Sequence, residues 1–290
     1  MVYSRLRVKS HTHRNPVVFT GADVNDFTER VARSIGRHFV MLSCLKRSPA
    51  SKEVRVHIFS GFVVDILGEW FYVTAGHILK DIRSAINDGS SFDTWRLDDQ
   101  IAGNQFSNIA VPYDFQLEHW CVLEDASAGL DYAAVHLGGL YRQQLEIGGV
   151  VPFTKQAWGD YVTECDHWAL VGIPRESISY GATNITAEFV MLPLVPVEPP
   201  HSAEKKAENQ FFAKIMDGSE EIIKDIDGMS GGPIVMLWKA DDTWNYSVIG
   251  VQSAWYPNAR IIAACPFSSF AEALEPLVEE AISESRCSKC

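Results

Sequence analysis

An all-β body carrying a helix at each end is the fold class this sequence predicts, and three observations predict it. Eleven short stretches rich in Val, Ile, Phe, Tyr and Trp are separated by clusters of Gly, Pro, Asp and Ser. No helical stretches alternate with them, so a sandwich or barrel is expected rather than a parallel α/β sheet. At 290 residues, 47% hydrophobic and 21% charged, the chain can bury the core of one large β domain or of two packed lobes, and wholesale disorder is excluded.

In chain order, residues 1–20 carry Arg5, Arg7, Lys9, His11 and His13 without apolar periodicity and read as a mobile arm. Val24, Phe27, Val31 and Ile35 recur at helical spacing behind Asp23, a residue suited to the N-cap, and predict a short helix over 23–35. Strands are expected at 37–45, 54–65, 69–74, 117–123, 131–137, 166–172, 187–197, 210–216, 233–238, 246–255 and 259–265. The stretch 198–209, EPPHSAEKKAEN, is loop-like. Behind Ser268 and Ser269, the residues Phe270, Leu274, Leu277, Val278, Ala281 and Ile282 fit one helical face, with Pro276 expected to kink or restart the helix.

Composition narrows the partners. Twenty-five Lys and Arg against 37 Asp and Glu give a net charge of −12, which repels phosphate, so no nucleic acid is expected. The longest apolar run, Phe189 to Val197, is far short of the roughly 20 residues that a membrane span needs. No basic start followed by an apolar stretch marks the chain for export. No membrane partner and a cytoplasmic location are expected. The six cysteines, Cys44, Cys121, Cys165, Cys265, Cys287 and Cys290, are too sparse for a disulfide scaffold and read as thiols. The terminal CSKC has metal-ligand spacing, but no second CxxC or HxxxH completes a zinc site, so no metal is expected.

Chemistry concentrates in DGMSGGP, residues 227–233. Glycines around Ser230 let the backbone turn sharply and bring amide N–H groups close to a reacting carbonyl, although a serine in a plain Gly-rich turn would look the same. The string also satisfies GxSxG, yet an α/β-hydrolase needs its histidine after the serine, and the last histidine here is His201. A subtilisin-like order needs a strand and helix alternation that is missing. The order His, Asp, Ser remains. In WFYVTAGHIL, His77 follows an apolar strand and the small pair Ala75 and Gly76, so its ring can emerge at a strand end; in GLDYAAVHL, Asp131 opens an alternating strand. The gaps, 131 − 77 = 54 and 230 − 131 = 99 residues, bring the three together only if two β units pack face to face. The other histidines, such as His57, His136 and His167, read as satisfied strand residues.

SGFVV at 60–64, TAGH at 74–77, LDYAAV at 130–135 and DGMSGGP at 227–233 together resemble the trypsin-like (chymotrypsin-fold) serine peptidases. The resemblance is closest to the bacterial, disulfide-free kind that includes the HtrA protease domain, here without room for a PDZ domain, and it covers roughly residues 36–284. It implies two packed six-stranded β-barrels with the active site in the cleft between them. Residues 1–35 would be an arm and short helix, 36–140 the first barrel with His77 and Asp131, 141–284 the second barrel and C-terminal helix with Ser230, and 285–290 a tail.

Carried over, the resemblance makes Ser230 the nucleophile, His77 the general base and then acid, and Asp131 the group that orients the imidazole. The N–H groups of Gly228 and Ser230 would form the oxyanion hole. Ser253, in IGVQSAWY, matches a serine that hydrogen-bonds the catalytic aspartate and begins the strand against which substrate pairs; a plain strand residue is the alternative. The base of the S1 pocket falls at Lys224 and its wall at Trp255, which implies a small or acidic P1 residue and not a basic one, unless Lys224 points to solvent. Two positions depart from the pattern. Met229 replaces the aspartate that receives a new N-terminus in secreted members, and Ile78 replaces a cysteine. The expected function is therefore a bacterial, cytoplasmic serine endopeptidase that hydrolyses a protein or peptide substrate through an acyl-enzyme, without cofactor. The alternatives are a protease-like module that binds a partner without cleaving, and an enzyme kept off until a regulatory partner reshapes the oxyanion loop.

Overall fold

The computed structural model describes residues 30–51, 53–98, 110–161, 167–180, 185–187, 189–206, 208–219, 223–241 and 243–287. The arm at 1–20, the start of the predicted N-terminal helix and the end of the tail lie outside them. What is described of that helix, α1, spans 30–36 and buries Ala32 and Ile35 completely.

Eight strands follow, β1 (Met41–Arg47), β2 (Val54–Phe59), β3 (Phe62–Ile66), β4 (Glu69–Thr74), β5 (Ser91–Asp98), β6 (Val111–Pro112), β7 (Trp120–Asp125) and β8 (Leu130–Leu137). They form two antiparallel four-stranded sheets, ordered β2-β1-β5-β6 and β3-β4-β8-β7. The single strand expected at 54–65 is broken at Ser60 and Gly61, where the chain leaves one sheet for the other. Leu42, Trp70, Tyr72 and Leu97 meet in the core that these sheets enclose. Two helices that the sequence reading does not anticipate, α2 (Gly76–Asn87) and α3 (Gly139–Gly148), add Ile78, Leu79, Ile82 and Leu145 to it.

The second unit contains β9 (His167–Gly172), a small β10 (Ser179–Tyr180) and β11 (Ile185–Thr186) pair, β12 (Val190–Val197), β13 (Phe211–Ile215), β14 (Pro233–Ala240), β15 (Thr243–Tyr256) and β16 (Ile261–Pro266). Six of these close into an antiparallel barrel, β12-β13-β16-β15-β14-β9, with Leu170, Leu192, Ile215, Ile234 and Ile249 inside. Closure leaves no strand edge unpaired. The last helix, α4 (Phe267–Cys287), continues through Pro276, which stands on its exposed side, where water can take the carbonyl that proline leaves free. Leu277, expected on the buried face, is 57% exposed.

A third cluster of buried side chains lies between the units. Phe62, Val64, Val73 and Tyr132 from the first meet Val171, Ile173, Val235 and Val251 from the second, and Ile35 of α1 with Phe267, Phe270 and Leu274 of α4 seal the seam. Tyr132 and Phe270 stack with ring centroids 4.4 Å apart. The fold is thus all-β with terminal helices, a closed six-stranded barrel packed on a second barrel-like unit, the architecture that the resemblance implies. The two differ in that, among the described residues, hydrogen bonds close only the second ring.

Candidate active site

Strand β4 pairs with β8 as far as Thr74 opposite Ala133, after which the chain turns into α2 at Gly76. Asp131, two residues further along β8, therefore lies beside the start of the helix. A Cβ on Gly76 would come within 2.9 Å of the Tyr132 carbonyl oxygen, so only glycine lets the helix press this closely on the strand. The result is a doubly held histidine. Asp131 Oδ1 accepts the His77 backbone N–H and Oδ2 accepts from His77 Nδ1, both at 2.7 Å. A carboxylate only accepts, so Nδ1 carries the proton and neutral His77 presents Nε2 as an acceptor. Burial pushes the His77 pKa down, but the hydrogen bond to Asp131 and the charges of Asp131, Asp81 and Glu124 outweigh it, and the net direction is up.

The Ser230 turn is held in a different way. Gly228 and Gly231 have φ of +92° and +83°, and a Cβ on Gly231 would collide with Thr74 Oγ1. Met229, fully buried, plugs the turn into the core of the second barrel. The backbone donors fall into two sets. Asp227, Met229, Gly231 and Gly232 give their N–H groups to Asp225 Oδ1, Ile226 O, Gln252 O and Met229 O, respectively. The N–H groups of Gly228 and Ser230 have no acceptor among the described residues, nor does the Ser230 hydroxyl hydrogen-bond any of them. His77, Gly228 and Ser230 line one cleft of about 340 Å³ between the units.

One residue ties the two halves together, and the sequence reading assigns it no role. Ser60, fully buried at the break between β2 and β3, donates from Oγ to the Gly228 carbonyl at 3.0 Å and accepts the Ile173 N–H at 3.1 Å. Its own carbonyl accepts the Thr74 hydroxyl at 2.8 Å. The signal was a polar residue opening the apolar run SGFVV: a buried hydroxyl has to find partners.

The structure places the other candidates as follows. Ser253 sits at a bulge of β15, between Gln252 and Ala254, and its Oγ accepts from Gln210 Nε2 at 3.2 Å, whereas the side-chain hydrogen bonds of Asp131 go to His77. Cys265 lies in the same layer, donating to the Gly129 carbonyl at 3.3 Å, and burial, with the charge of Asp131, pushes its thiol up to about 12. Trp255 is half-buried and packs against the core of the second barrel. Lys224 is exposed, its N–H bonded to Glu176 Oε1 at 2.8 Å, and neither it nor Trp255 lines the cleft beside Ser230. His136 is exposed and pairs with Glu69 at 2.9 Å, whereas His57 lines the cleft.

No family model matches the chain, and no curated protein matches it. Among solved structures it is similar to tobacco etch virus protease complexed with product, at 12% identity and a TM-score of 0.44, covering 90% of this chain and 83% of that one. It is also similar to the active form of the Rv3671c protease from M. tuberculosis, at 14% identity and a TM-score of 0.40, covering 92% and 93%. The thermostable serine protease AL20 from an extremophilic microorganism gives 14% identity and a TM-score of 0.41, covering 82% and 94%. Likeness at this level decides nothing about chemistry, which has to be argued from the site.

Proposed function

We propose that the chain is a serine endopeptidase in which Ser230 is the nucleophile, His77 the general base and then acid, and Asp131 the positioning carboxylate. The observation that carries this reading is the pattern of backbone donors in the 227–232 turn: its other N–H groups are used, while those of Gly228 and Ser230 have no acceptor among the described residues, and both residues line the cleft that holds His77. Two uncommitted amides beside a serine hydroxyl are the arrangement that stabilises negative charge on a carbonyl oxygen under attack.

Neutral His77 takes the Ser230 proton on Nε2 as Oγ adds to the substrate carbonyl. The imidazolium so formed is stabilised by Asp131, and the two amides hold the oxyanion. Collapse breaks the C–N bond, and His77 gives its proton to the leaving amine, which departs and leaves Ser230 acylated. A water molecule then repeats the steps, His77 acting again as base, and releases the acid product and free Ser230. No cofactor enters. Cys44, Cys121 and Cys265 are free thiols, which supports a reducing compartment such as a bacterial cytoplasm.

Labelling with a fluorophosphonate probe tests the assignment. Wild type should label covalently, and Ser230→Ala and His77→Ala should not. Labelling that survives in Ser230→Ala would overturn the reading, and a folded wild type that never labels would make the chain a non-cleaving relative.

A further inference from the structure

The chain is acidic overall, with 25 basic against 37 acidic residues, yet the cleft beside Ser230 is walled by Lys46, Arg55, His57 and Arg175. Composition does not explain that concentration of charge. The strand register does explain how it is built. Lys46 of β1 stands directly opposite Arg55 of β2, and His57 lies two residues along β2 from Arg55, so the three share one face of the hairpin. Like charges directly opposite one another across a strand pair repel, an arrangement that an anion bound between them would relieve.

We infer that this cationic wall is a specificity element of the site and receives a carboxylate of the peptide substrate close to the scissile bond, from an Asp or Glu side chain or from the substrate's C-terminus. The inference rests on the reading of Ser230 as nucleophile. The wall's cations outnumber the acids that line the cleft, Lys46, Arg55 and Arg175 against Asp81 and Asp227. Asp227 is already engaged by Arg175 at 3.3 Å, and Asp81 is the other carboxylate lining the cleft. Arg55 pairs with Glu53 at 2.9 Å, but both side chains are exposed, where such a pair is weak and exchangeable. Lys46 Nζ lies 5.6 Å from the Phe92 ring centroid and has no carboxylate at ion-pair distance among the described residues. Ile58, Ile178 and Phe92 add apolar lining, suited to a methylene stem whose carboxylate reaches the cations. His57 supports the same picture: burial lowers its pKa, and the charges of Lys46, Arg175 and Arg55 lower it further, so three cations act on one point of the cleft.

The test uses Ser230→Ala protein, which retains peptides without cutting them, and fluorescent peptides from a library scanned with Glu at each position. Peptides carrying Glu should bind about tenfold tighter than their Gln counterparts. The preference should weaken with salt and vanish when Lys46→Ala and Arg55→Ala are added. Arg55→Gln, on the exposed edge strand, keeps the test available should the combined variant fail to fold. Amidated and free-acid peptides separate the two sources: a preference that survives amidation assigns the side chain, and one that needs the free end assigns the C-terminus. Equal binding of Glu, Gln, amidated and free-acid peptides, or no binding of any of them, overturns the inference. Because binding is read without turnover, a carboxylate preference with no labelling of Ser230 would sink the catalytic reading alone, and labelling without the preference would sink the wall alone.

Discussion

The histidine half of the site and the serine half are held by opposite means. His77 is committed through both its backbone N–H and Nδ1, and both bonds go to one buried carboxylate. The Ser230 turn is fixed through its neighbours instead, by Met229 in the barrel core, by the used N–H groups of Asp227, Gly231 and Gly232, and by Ser60 on the Gly228 carbonyl, while two amides and a hydroxyl stay open. The difference teaches where rigidity belongs. A base that has to aim one ring nitrogen can be pinned through its other polar groups, whereas donors that must receive a developing negative charge are held indirectly and kept free.

The comparison is broken most severely on the saturated side. Asp131→Asn keeps the shape but not the acceptor pair, and should lower kcat/KM for peptide hydrolysis by about 10⁴-fold with the fold retained by circular dichroism. A loss smaller than tenfold would mean that the carboxylate does not orient His77. On the serine side, Gly231→Ala forces an alanine into positive φ and against Thr74, and should cost roughly 2 to 4 kcal/mol in chemical denaturation. An unchanged denaturation midpoint would show that the turn can relax away from the first unit.

Ser60→Ala is a subtler cut. It strips the Gly228 carbonyl and the Ile173 N–H of a buried partner, for about 1 to 3 kcal/mol of stability, and should lower kcat more than it raises KM because the amides lose their aim. An equal change in both constants would assign Ser60 to packing alone. The smallest effect is on pH. His77 has a raised pKa and must be neutral to act, so hydrolysis should rise as pH increases through a midpoint above the ordinary value of about 6.5. A midpoint below that value would show that burial, not Asp131, dominates the imidazole.

Much of this site was legible in the sequence, and for a local reason. TAGH and LDYAAV each put a polar residue at the mouth of an apolar strand beside small residues, and DGMSGGP announces a turn that only glycines permit. His77 and Asp131 do meet, because both positions are set by one pair of neighbouring strands. What was not legible depended on the partner half or on loops. The reading of Lys224 depends on loop length and that of Trp255 on the register after Ser253, and in the structure neither lines the cleft beside Ser230. In the fold, α2 was hidden because GHILKDIRSAIN follows directly on a strand, and its apolar residues Ile78, Leu79 and Ile82 extend that strand's pattern to the eye. The split of 54–65 turns on Ser60, whose bonds reach residues 113 and 168 positions away in the chain. No window on the sequence spans that distance.

Ser60 also sets a timetable. His77 and Asp131 both belong to the first unit, but that unit's carbonyl-gripping serine has nothing to hold until Gly228 arrives, more than half the chain later. The second unit closes its ring around Met229, yet its turn is aimed from outside itself. On the proposed reading, cutting power needs both halves in place, because the imidazole belongs to one and the nucleophile to the other. A chain still being made, or one whose halves had slipped apart, would lack an aimed site and would not cut its neighbours or itself.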